Sequence, residues 1–595
     1  MPEPDLVLLH APSVYDFRQE AILYGPIADF APAPLAFEIF PLGYASLAEY
    51  LEHAGYNVCL LNLAKHMLDD AQFDAEQAIA DLNPIAFGID FHWLSHAQGA
   101  LAVAQIVKAL HPETPIILGG FAATYYHHEL IDYPQVDYVL CGDSTERSLL
   151  QLLECLSLGG TPDQVPGLTW RTQSGQVVEN LSEAPPASLD DLASRGNNSS
   201  LNYQKDYPAA VGLMARGCIH NCLTCSGSAY AYQRVHGQQT PTYRSPEALA
   251  RDLQNVRGYD NGSVYVPCDI TQAGMDYAYR FLQAMRGFPK LIYLDMLGPT
   301  PRKFLQDMTD ALPHLALQIP MGSHDPQVRQ AMGKDYSNPA IEKTIEDALS
   351  LGCECLSLRF TIGLPRQDHD SVMATIAYCD DLLARFGAAG RLQPSMAPLV
   401  PFLDPGSIAF EEPERNGYRL LFRSLEDHRR ALLASTWKYV LNYETEWMTG
   451  DDIVRVTYDA TVAMALLRAK HGLIPDESAE ALEALVNETR RLMAEVENVL
   501  ASKDTERLQD TLRALKPEID AVNYAGSWKS NLGFAETKYD GEPADPWCLG
   551  PARDTHGVWG SLKGWWNRRQ AAPSSRNAKA HPMHASRFWY RPPPI

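Results

Sequence analysis

The sequence predicts an α/β protein with three parts: a doubly wound, Rossmann-like open sheet, a partial barrel of six βα units and an α-helical C-terminal region. Residues 5–156 and 209–408 each alternate apolar strand-like runs with amphipathic helical stretches. This alternation is typical of parallel sheets covered by helices. The strand-like runs are apolar on both faces, as buried parallel strands are. Residues 411–516 show helical periodicity only.

Length and charge exclude several classes of protein. The chain has 595 residues, and its 49 Lys and Arg against 73 Asp and Glu give a net charge of −24. A composition with 46% hydrophobic and 21% charged residues excludes a disordered or collagen-like chain. The acidic balance argues against nucleic-acid binding, which needs a positive surface. We expect a cytoplasmic protein without a membrane-spanning helix, because the sequence has neither a long apolar run nor the basic start of a signal peptide.

The first domain is predicted over residues 1–156, with about five parallel strands. Its strand-like runs are DLVLLHAP, VCLLNLA, IAFGID, PIILGG and VDYVLCG. An open sheet of this kind binds ligands beyond the carboxyl ends of its strands. The loops at that edge contain the candidate binding residues Ser13, Tyr15, Asp90, His92, Gly119, Gly120, Thr124, Gly142 and Asp143. No G-x-G-x-x-G follows the first strand, so we do not expect a dinucleotide.

The Gly119-Gly120 pair has two interpretations. It lets a flat or bulky ligand approach the backbone closely, so a side chain there would occupy the ligand's space. Alternatively, the pair only forms a tight turn from strand to helix.

Residues 157–208 are rich in Gly, Pro, Ser and Asn and are predicted to be a linker with one small hairpin, LTWRTQSGQVVE. The barrel is predicted over residues 209–408. Six βα units, with no sign of eight, predict a partial barrel whose open side admits a large substrate. Its strand-like runs are AAVGLMARG, SVYVPCD, KLIYLDML, LALQIPMG, CLSLRFTIG and RLQPSMAPL.

The C-terminal part is predicted to be helical over residues 409–540, with one helix ending at Gly472. Its best amphipathic stripe is Leu482, Leu485, Val486, Thr489, Leu492, Met493, Val496 and Leu500. Residues 541–595 form a basic tail, with eight Lys and Arg against three acidic residues and five of the ten tryptophans. The tail is either loosely ordered, packing a few aromatic side chains on the body, or a segment for peripheral membrane contact or partner binding.

Three cysteines, Cys218, Cys222 and Cys225, have the spacing C-x3-C-x2-C just after the first strand of the barrel. Three thiolates on one loop can hold three irons of a cubane cluster and leave the fourth iron open for chemistry. A zinc knuckle with His220 as fourth ligand is an alternative, although His220 lies between two of the ligands and its ring would have to fold back. Thiols without a shared role are a further alternative.

At these residues the chain resembles the radical S-adenosylmethionine (SAM) superfamily over roughly residues 209–408. The resemblance implies a [4Fe–4S] cluster whose open iron chelates SAM. It also implies an electron donor such as flavodoxin or ferredoxin, and reductive cleavage of SAM to a 5′-deoxyadenosyl radical. Two departures affect the expected contacts. Thr224 replaces the usual aromatic residue before the third cysteine, and Val266-Pro267-Cys268-Asp269 replaces the family's Gly-Gly-Glu.

The same resemblance implies further contacts to the cofactor. Asp269 either accepts a hydrogen bond from the methionine ammonium or merely caps a loop. Ile362-Gly363-Leu364-Pro365 matches the loop that packs on adenine, with an ordinary tight turn as the alternative. The expected SAM contacts are Asp269, Ser323, Arg359, Ile362, Gly363 and Pro365.

The first domain, placed before a radical domain, looks like the B12-binding domain of cobalamin-dependent radical SAM enzymes. The GGFAAT loop at 119–124 and Gly142-Asp143 match the loops that hold the cobalamin nucleotide tail in that group. FEIFPLGYASLAEYL and PLVPFLDPGS look like an uncharacterised subgroup of it. The Asp-x-His-x-x-Gly motif of classical B12 methyltransferases is absent, because position 95 is Ser and Asp90-Phe91-His92 follows the third strand. We therefore expect no imidazole ligand to cobalt; His92 either hydrogen bonds within its loop or contacts the corrin.

The resemblance implies an enzyme that uses cobalamin, SAM and the cluster to methylate an unactivated carbon of a small molecule or lipid. Two alternatives remain open: the same cofactors in a non-methylating cyclisation, rearrangement or carbon–carbon bond formation, or a cobalamin- or redox-sensing binding protein. Because the two reactive faces must meet, we expect the cobalt to face the radical site. The substrate would then be walled by Tyr265, Cys268, Asp295 and Arg359.

Overall fold

The structure is a computed structural model, and it describes residues 3–25, 42–183, 185–192, 209–255, 263–399, 402–502 and 504–526. Several predictions fall outside these residues. They are the basic tail at 541–595, part of the predicted linker, and parts of the FEIFPLGYASLAEYL and PLVPFLDPGS segments.

Seven strands form the first sheet. They are β1 (Leu6–His10), β2 (Val58–Asn62), β3 (Ala86–Asp90), β4 (Ile116–Gly119), β5 (Tyr138–Leu140), β6 (Leu168–Arg171) and β7 (Val177–Glu179). Their order is β2-β1-β3-β4-β5-β6-β7, with β1 to β5 parallel and β6 and β7 antiparallel. The predicted doubly wound sheet is confirmed, and its strand order reverses between β1 and β3. The sheet has two strands more than predicted, because the hairpin expected in the linker pairs with β5.

Helices cover both faces of this sheet. They are α1 (Leu42–His53), α2 (Leu63–Asp69), α3 (Ala75–Ala80), α4 (Ala97–Leu110), α5 (Phe121–Tyr125), α6 (His127–Leu130) and α7 (Glu146–Ser157). Successive side chains of a strand point to opposite faces. Val7 and Leu9 of β1 therefore join one apolar core, which includes residues of α4, whereas Leu6 and Leu8 join a second core with α1 and α7. Every residue of β1 is buried, which explains its continuous apolar run.

The barrel contains a second sheet. The strands of this region are β8 (Ala209–Val211), β9 (Ala215–Arg216), β10 (Thr242–Tyr243), β11 (Ser263–Val266), β12 (Ile292–Asp295), β13 (Leu315–Gly322), β14 (Cys355–Ile362) and β15 (Leu392–Pro398). Six of them pair in parallel in the order β8-β11-β12-β13-β14-β15. Within the described part of the chain β8 and β15 do not pair, so the predicted partial barrel is confirmed. The first predicted strand is split, because β8 ends at Val211 and β9 pairs antiparallel with β10.

The helices of the barrel follow its strands. They are α8 (Ala229–Val235), α9 (Pro246–Gln254), α10 (Met275–Ala284), α11 (Arg302–Ala311), α12 (Pro326–Ala331), α13 (Asn338–Ser350) and α14 (His369–Phe386). Local sequence sets several of their starts. Ser245 accepts a hydrogen bond from the Ala248 N–H and is followed by Pro246, which begins α9. A side-chain cap and a proline at the first position both favour a helix start.

The C-terminal region is mainly helical, as predicted. It contains α15 (Ile408–Glu411), α16 (Leu425–Ala431), α17 (Gly450–Lys470), α18 (Asp476–Ala501) and α19 (Thr505–Gly526), with β16 (Tyr418–Leu420) and β17 (Tyr443–Thr445) paired as a small ribbon. Gly472, at φ +69°, follows the end of α17. In the predicted stripe of α18, the residues from Leu485 to Val496 are buried. None of the helices in the described ranges is long and apolar enough to cross a bilayer.

Candidate cofactor and active site

The cysteine loop lies between β9 and α8, and three backbone hydrogen bonds fix it. The Leu223 N–H donates to the Met332 carbonyl at 3.4 Å, and the Leu223 carbonyl accepts from the Ala409 N–H at 3.0 Å. A third bond, of 2.9 Å, joins the Ala229 N–H to the His220 carbonyl. The loop is thus attached to the end of α12, to α15 and to the start of α8, which holds its cysteines in one place.

The three thiols have the properties of cluster ligands. Cys218 and Cys222 are half-buried and Cys225 is exposed. The Cys218 sulfur accepts a hydrogen bond from the His220 N–H at 3.4 Å, and the Cys225 sulfur accepts one from the Gly227 N–H at 3.3 Å. Such bonds to sulfur are among the features that tune iron–sulfur clusters. Burial, with a contribution from the neighbouring Cys222, raises the pKa of the Cys218 thiol.

This donor set fits a [4Fe–4S] cluster with three protein ligands. The zinc-knuckle alternative needs the His220 ring together with the three sulfurs around one ion. Within the described residues, no His, Cys, Asp or Glu group that includes His220 brings its ligand atoms within 4.8 Å of one another. The three cysteine sulfurs form no such group in the described residues either, so the zinc knuckle has no support and the cluster itself stays a prediction.

Lys334 is a charged neighbour of the cysteine loop that the sequence did not point to. Its ammonium donates to the Pro320 carbonyl, and burial lowers its pKa against the opposing effect of the Cys222 and Cys225 thiols. The preceding Gly333 has φ +81°, and a Cβ there would lie 2.9 Å from the Asn221 carbonyl oxygen. Glycine thus lets the chain pass close to the cysteine loop and brings a positive charge to the thiols. No spacing or motif in the sequence marks this lysine.

Two of the predicted SAM contacts have structural roles in the barrel. Asp269 follows β11 and accepts hydrogen bonds from the Thr271 N–H at 2.9 Å, the Thr271 hydroxyl at 2.6 Å and the Leu297 N–H at 3.2 Å. These bonds correspond to the loop-capping alternative. Ser323 is fully buried after β13, and its hydroxyl accepts from the Asp325 N–H at 3.1 Å.

The predicted wall residues Tyr265, Asp295 and Arg359 come together through Gln318, which the sequence analysis missed. The Tyr265 hydroxyl donates to Asp295 at 3.0 Å, and the Gln318 amide donates to the other Asp295 oxygen at 3.0 Å. Arg359 Nε donates to the Gln318 side-chain oxygen at 2.5 Å. Burial raises the pKa of Asp295 to about 6. The fourth predicted wall residue, Cys268, instead accepts from the Gln272 amide at 3.0 Å.

The loop after β14, predicted to pack on adenine, is covered by the C-terminal ribbon. Ile362 and Pro365 are buried. Gly363 has φ +94°, and a Cβ at this position would lie 2.3 Å from the Tyr443 hydroxyl oxygen. The Gly363 carbonyl also accepts from the Tyr418 hydroxyl at 3.1 Å. Packing against these tyrosines accounts for the glycine without a ligand, so the contact to adenine stays a prediction.

The first domain has a cavity of about 270 Å³ at the carboxyl edge of its sheet, next to α1 and α7. Apolar residues of the strands form its floor, and loop residues form its rim. Six of the nine candidate residues of this domain line it: Asp90, His92, Gly119, Gly120, Gly142 and Asp143. Its composition and position fit the nucleotide tail of cobalamin.

Three other candidate residues of this domain do not line the cavity. The Ser13 carbonyl accepts from the Gly99 N–H at 3.0 Å, and the Tyr15 N–H donates to the Gln98 side chain at 2.7 Å, so both residues pack against α4. Ser13 and Tyr15 do not line this cavity, because the loop after β1 turns toward α4, and their contact to a cofactor stays a prediction. Thr124 donates to the Gly120 carbonyl at 2.8 Å and accepts from the Gly142 N–H at 3.0 Å, so it ties two rim loops together.

Backbone geometry favours glycine at position 120. Its φ is +120°, and a Cβ built there would lie 2.5 Å from the His92 Cα. A side chain would therefore collide with the His92 backbone, which agrees with the tight-turn alternative, and a contact of Gly120 with a ligand stays a prediction. Gly119 has no positive φ, and its Cβ would meet only the Leu140 carbonyl oxygen at 3.4 Å.

A buried carboxylate joins two histidines at the switch point of this sheet. Asp90 ends β3, and its two oxygens lie 2.9 Å from His10 Nδ1 and 2.5 Å from His92 Nδ1. Burial alone would raise the pKa of Asp90, but the two histidines hold it well below its usual range. A third ring, His96, lies 5.0 Å from the His92 ring between centroids.

The carboxyl edge of the first sheet meets the cysteine loop through three polar contacts. Trp93 Nε1 donates to Asp404 at 3.2 Å, and the other Asp404 oxygen accepts from Ser226, the residue after Cys225, at 3.4 Å. The Tyr232 hydroxyl of α8 donates to Asp143 at 2.5 Å.

The third contact is a buried ion pair on the other side of the cysteine loop. Arg216 precedes Cys218 by two residues and pairs with Glu146 at the start of α7, with N–O distances of 2.9 and 2.5 Å. Phe121 adds ring contacts to Tyr232 and His236 across the same interface. The rim of the cavity and the cysteine loop therefore face each other.

Comparisons with known proteins agree with this arrangement. Residues 31–149 match the family model described as the B12 binding domain. This match covers most of the first domain. Among solved structures, the radical SAM methyltransferase TsrM of Kitasatospora setae, with cobalamin and a [4Fe–4S] cluster bound, is similar at a TM-score of 0.55 and 14% identity. The match covers 79% of this chain and 90% of TsrM.

The cobalamin-dependent SAM radical enzyme OxsB is similar at a TM-score of 0.54 and 14% identity, over 95% of this chain and 84% of OxsB. These likenesses show that the chain has the fold of cobalamin-dependent radical SAM enzymes. The resemblance stated from the sequence is confirmed at this level.

Two curated relatives are methyltransferases by name. The chain is 26% identical to cytidylyl-2-hydroxyethylphosphonate methyltransferase of Streptomyces wedmorensis over 174 residues, which are 27% of this chain and 32% of that protein. It is 23% identical to an uncharacterised methyltransferase of Pyrococcus horikoshii over 370 residues, 58% of this chain and 73% of that protein. The chain thus spans about a third of the length of the phosphonate methyltransferase that it matches.

Proposed function

We propose that the protein is a cobalamin-dependent radical SAM methyltransferase that methylates a carbon atom of a small molecule. The observation that carries the proposal is the contact between the carboxyl edge of the B12-binding sheet and the cysteine loop. Trp93, Asp143 and Glu146 belong to that edge, and their partners are next to the cysteines. A carbon radical is short-lived, so a methyl donor has to be held beside it, and this interface supports that arrangement.

Each cofactor has candidate residues in this proposal. Cys218, Cys222 and Cys225 would hold the cluster, the cavity rimmed by Gly120 and Gly142 would hold the cobalamin tail, and the barrel interior would hold SAM. When bound, these groups supply a 5′-deoxyadenosyl radical that removes a hydrogen atom and a methyl group that replaces it.

The residues of the chain itself bind the cofactors, orient polar groups and exclude water from the site. Lys334 places a positive charge beside the cysteines, which favours their thiolate forms. Phe121 and Tyr232 cover the interface with aromatic rings, which excludes water from the space between the two domains. Inside the barrel, Gln318 orients Asp295 and Arg359 so that they present polar groups to a substrate. A low-potential reductant such as flavodoxin or ferredoxin would deliver the electron.

The test is product analysis with the full-length protein, reconstituted anaerobically with iron, sulfide and cobalamin. The reduced protein is incubated with methyl-labelled SAM and extracts of cells that lack it. We expect 5′-deoxyadenosine, S-adenosylhomocysteine and a labelled product to form in step. Cys222→Ala should lose the cluster absorbance and all three products. Cys155→Ala is the matched control, because this thiol lies on α7 away from the loop, and it should retain them.

Other outcomes would contradict the proposal. 5′-Deoxyadenosine without S-adenosylhomocysteine would indicate a non-methylating radical reaction. Cobalamin binding without either product would indicate a binding protein.

A further inference from the structure

Two neighbouring histidines and one glutamate meet at the hairpin edge of the first sheet. His127 and His128 begin α6, and Glu179 ends β7. His127 Nε2 lies 3.9 Å from one Glu179 oxygen, and His128 Nε2 lies 3.6 Å from the other. Adjacent residues of a helix point about 100° apart, but these two imidazole rings lie only 4.0 Å apart between centroids, beside the same carboxylate. None of the three residues lines the cavity that fits the cobalamin tail.

The spacing of these atoms suits a bound metal ion better than direct hydrogen bonds. Hydrogen bonds from N–H to O are about 2.7–3.2 Å long, so both contacts to Glu179 are too long. Ligand atoms that bind zinc tetrahedrally at about 2.0–2.2 Å lie roughly 3.4 Å from one another. One ligand atom from each of the three side chains lies within 4.8 Å of the other two. His128 and Glu179 are exposed, so small rotations of their side chains would close the remaining gap.

A buried hydroxyl orients the ring of His127. His127 Nδ1 lies 2.8 Å from the hydroxyl of Thr169, which is fully buried on β6. Thr169 and Glu179 are cross-strand partners in the hairpin, so their side chains lie on the same face of the sheet. When the hydroxyl accepts from Nδ1–H, the lone pair of the neutral ring is on Nε2, the atom that faces Glu179. Histidines that bind metals usually donate their other N–H to an oxygen in this way, which fixes the tautomer.

The neutral form of His127, which metal binding requires, is favoured at this position. Burial and the nearby His128 ring lower the pKa of His127, against the opposing effect of Glu179. Two protonated rings at this separation would also repel each other. A divalent cation between the three side chains would compensate the charge of Glu179 without protonation of either ring.

We infer that His127, His128 and Glu179 form a binding site for a divalent transition-metal ion, with zinc as the best match. Two imidazoles and one carboxylate are a known donor set for zinc, with water as the fourth ligand, whereas calcium and magnesium prefer oxygen ligands throughout. The ion would join α6 to β7. Because α6 follows α5, which begins with the cavity residue Phe121, the ion would also brace the rim of the cavity. The inference does not depend on the proposed function, since neither cofactor contributes a ligand.

Zinc binding to the full-length protein tests the inference, with the iron–sulfur cluster reconstituted first so that the cysteine loop is occupied. Equilibrium dialysis against zinc chloride, followed by elemental analysis, should show one tightly bound zinc per chain and an unchanged iron content. X-ray absorption at the zinc edge should show nitrogen and oxygen ligands at about 2.0–2.2 Å and no sulfur at about 2.3 Å. These two measurements need no substitution, so they do not depend on the folding of a variant.

Variants then assign the ion to its ligands. Thr169→Val, which removes only the hydroxyl behind His127, should weaken zinc binding about 10–100-fold. His128→Ala and Glu179→Gln each change an exposed side chain and should weaken it more, because each removes a ligand. The matched controls are His53→Ala and Glu183→Gln, which change an exposed imidazole of α1 and an exposed carboxylate just after the hairpin. Both controls should bind zinc as the unchanged protein does.

Three results would overturn the inference. The first is dialysis that leaves no zinc on the protein. The second is sulfur among the zinc ligands, which would place the ion at the cysteine loop. The third is an unchanged zinc affinity in both His128→Ala and Glu179→Gln, which would place it elsewhere on the surface. None of these results bears on the proposed function, which is tested by its products.

Discussion

The buried ion pair between Arg216 and Glu146 should be a large contributor to the stability of the domain interface. The two side chains are 6% and 1% exposed, and their paired N–O contacts are 2.9 and 2.5 Å long. Ser46 donates a further hydrogen bond to Glu146 at 2.6 Å. Burial opposes the ionisation of Glu146, but Arg216 and Ser46 hold its pKa below the ordinary value. Arg216→Met would leave the carboxylate buried with only a hydroxyl as partner.

The expected loss of stability follows from this burial. Removal of one partner from a buried pair costs about 3–5 kcal/mol, because the remaining charge has lost its compensation. For a domain of the size of the first one, 1 kcal/mol corresponds to about 2–4 °C in melting temperature. We therefore expect Arg216→Met to lower the melting temperature by roughly 6–20 °C at pH 7. Glu146→Gln, which leaves the guanidinium unpaired, should have an effect in the same range.

The decisive comparison is with the double variant Arg216→Met/Glu146→Gln, measured by circular dichroism during heating. It contains no unpaired buried charge, so it should melt above either single variant. Below pH 4.5, the ordinary pKa of a glutamate, protonation of Glu146 should reduce the deficit of Arg216→Met. Two results would refute the reasoning: single variants that melt like the unchanged protein, or a double variant whose loss equals the sum of the two single losses.

Three further predictions concern the cavity and the barrel. Gly120→Ala should lower stability by about 1–3 kcal/mol through its positive φ alone, and further through the backbone collision. Gly119→Ala is the control for stability, because Gly119 has no positive φ and its Cβ would meet only the Leu140 carbonyl oxygen; equal melting temperatures of the two variants would contradict the geometry. Thr124→Val should cost about 0.5–1.5 kcal/mol in chemical denaturation, because the half-buried Gly142 N–H loses its acceptor; an unchanged denaturation midpoint would show that water replaces the hydroxyl. Asp295→Asn should melt higher than the unchanged protein at pH 7 but not at pH 4. The raised pKa of Asp295, about 6, means that the folded protein loses stability as pH rises from about 4 to 6, by up to about 3 kcal/mol. A difference in melting temperature between the two proteins that is the same at pH 4 and pH 7 would exclude this carboxyl as the cause.

The parallel sheets and the cysteine loop were predictable from the sequence because both are local patterns. A strand buried on both faces, such as β1, must be apolar throughout, and the alternation with helices then determines the topology. The spacing of the three cysteines is a property of one short segment. Gly142 and Asp143 could be assigned to the ligand edge because they directly follow a strand.

Contacts between distant segments were not predictable. Arg216 and Glu146 are 70 residues apart, and nothing near either residue indicates a partner. Lys334 reaches the cysteines only because Gly333 passes close to Asn221. The adenine loop was interpreted from its Ile-Gly-Leu-Pro sequence, but the need for Gly363 can come from Tyr443, which lies in a ribbon that sequence periodicity did not reveal. In each of these cases the tertiary structure, and not the local pattern, sets the residue's environment.

The hairpin β6–β7 has a consequence for self-association. Without it, β5 would be the outer strand of a parallel sheet and would offer unpaired backbone groups to another chain. The hairpin moves the edge to β7, which has only the three residues Val177–Glu179. Short edge strands with a charged residue are poor templates for strand addition from a second molecule. The segment that connects the two domains in the sequence therefore also protects this edge of the first sheet against strand addition.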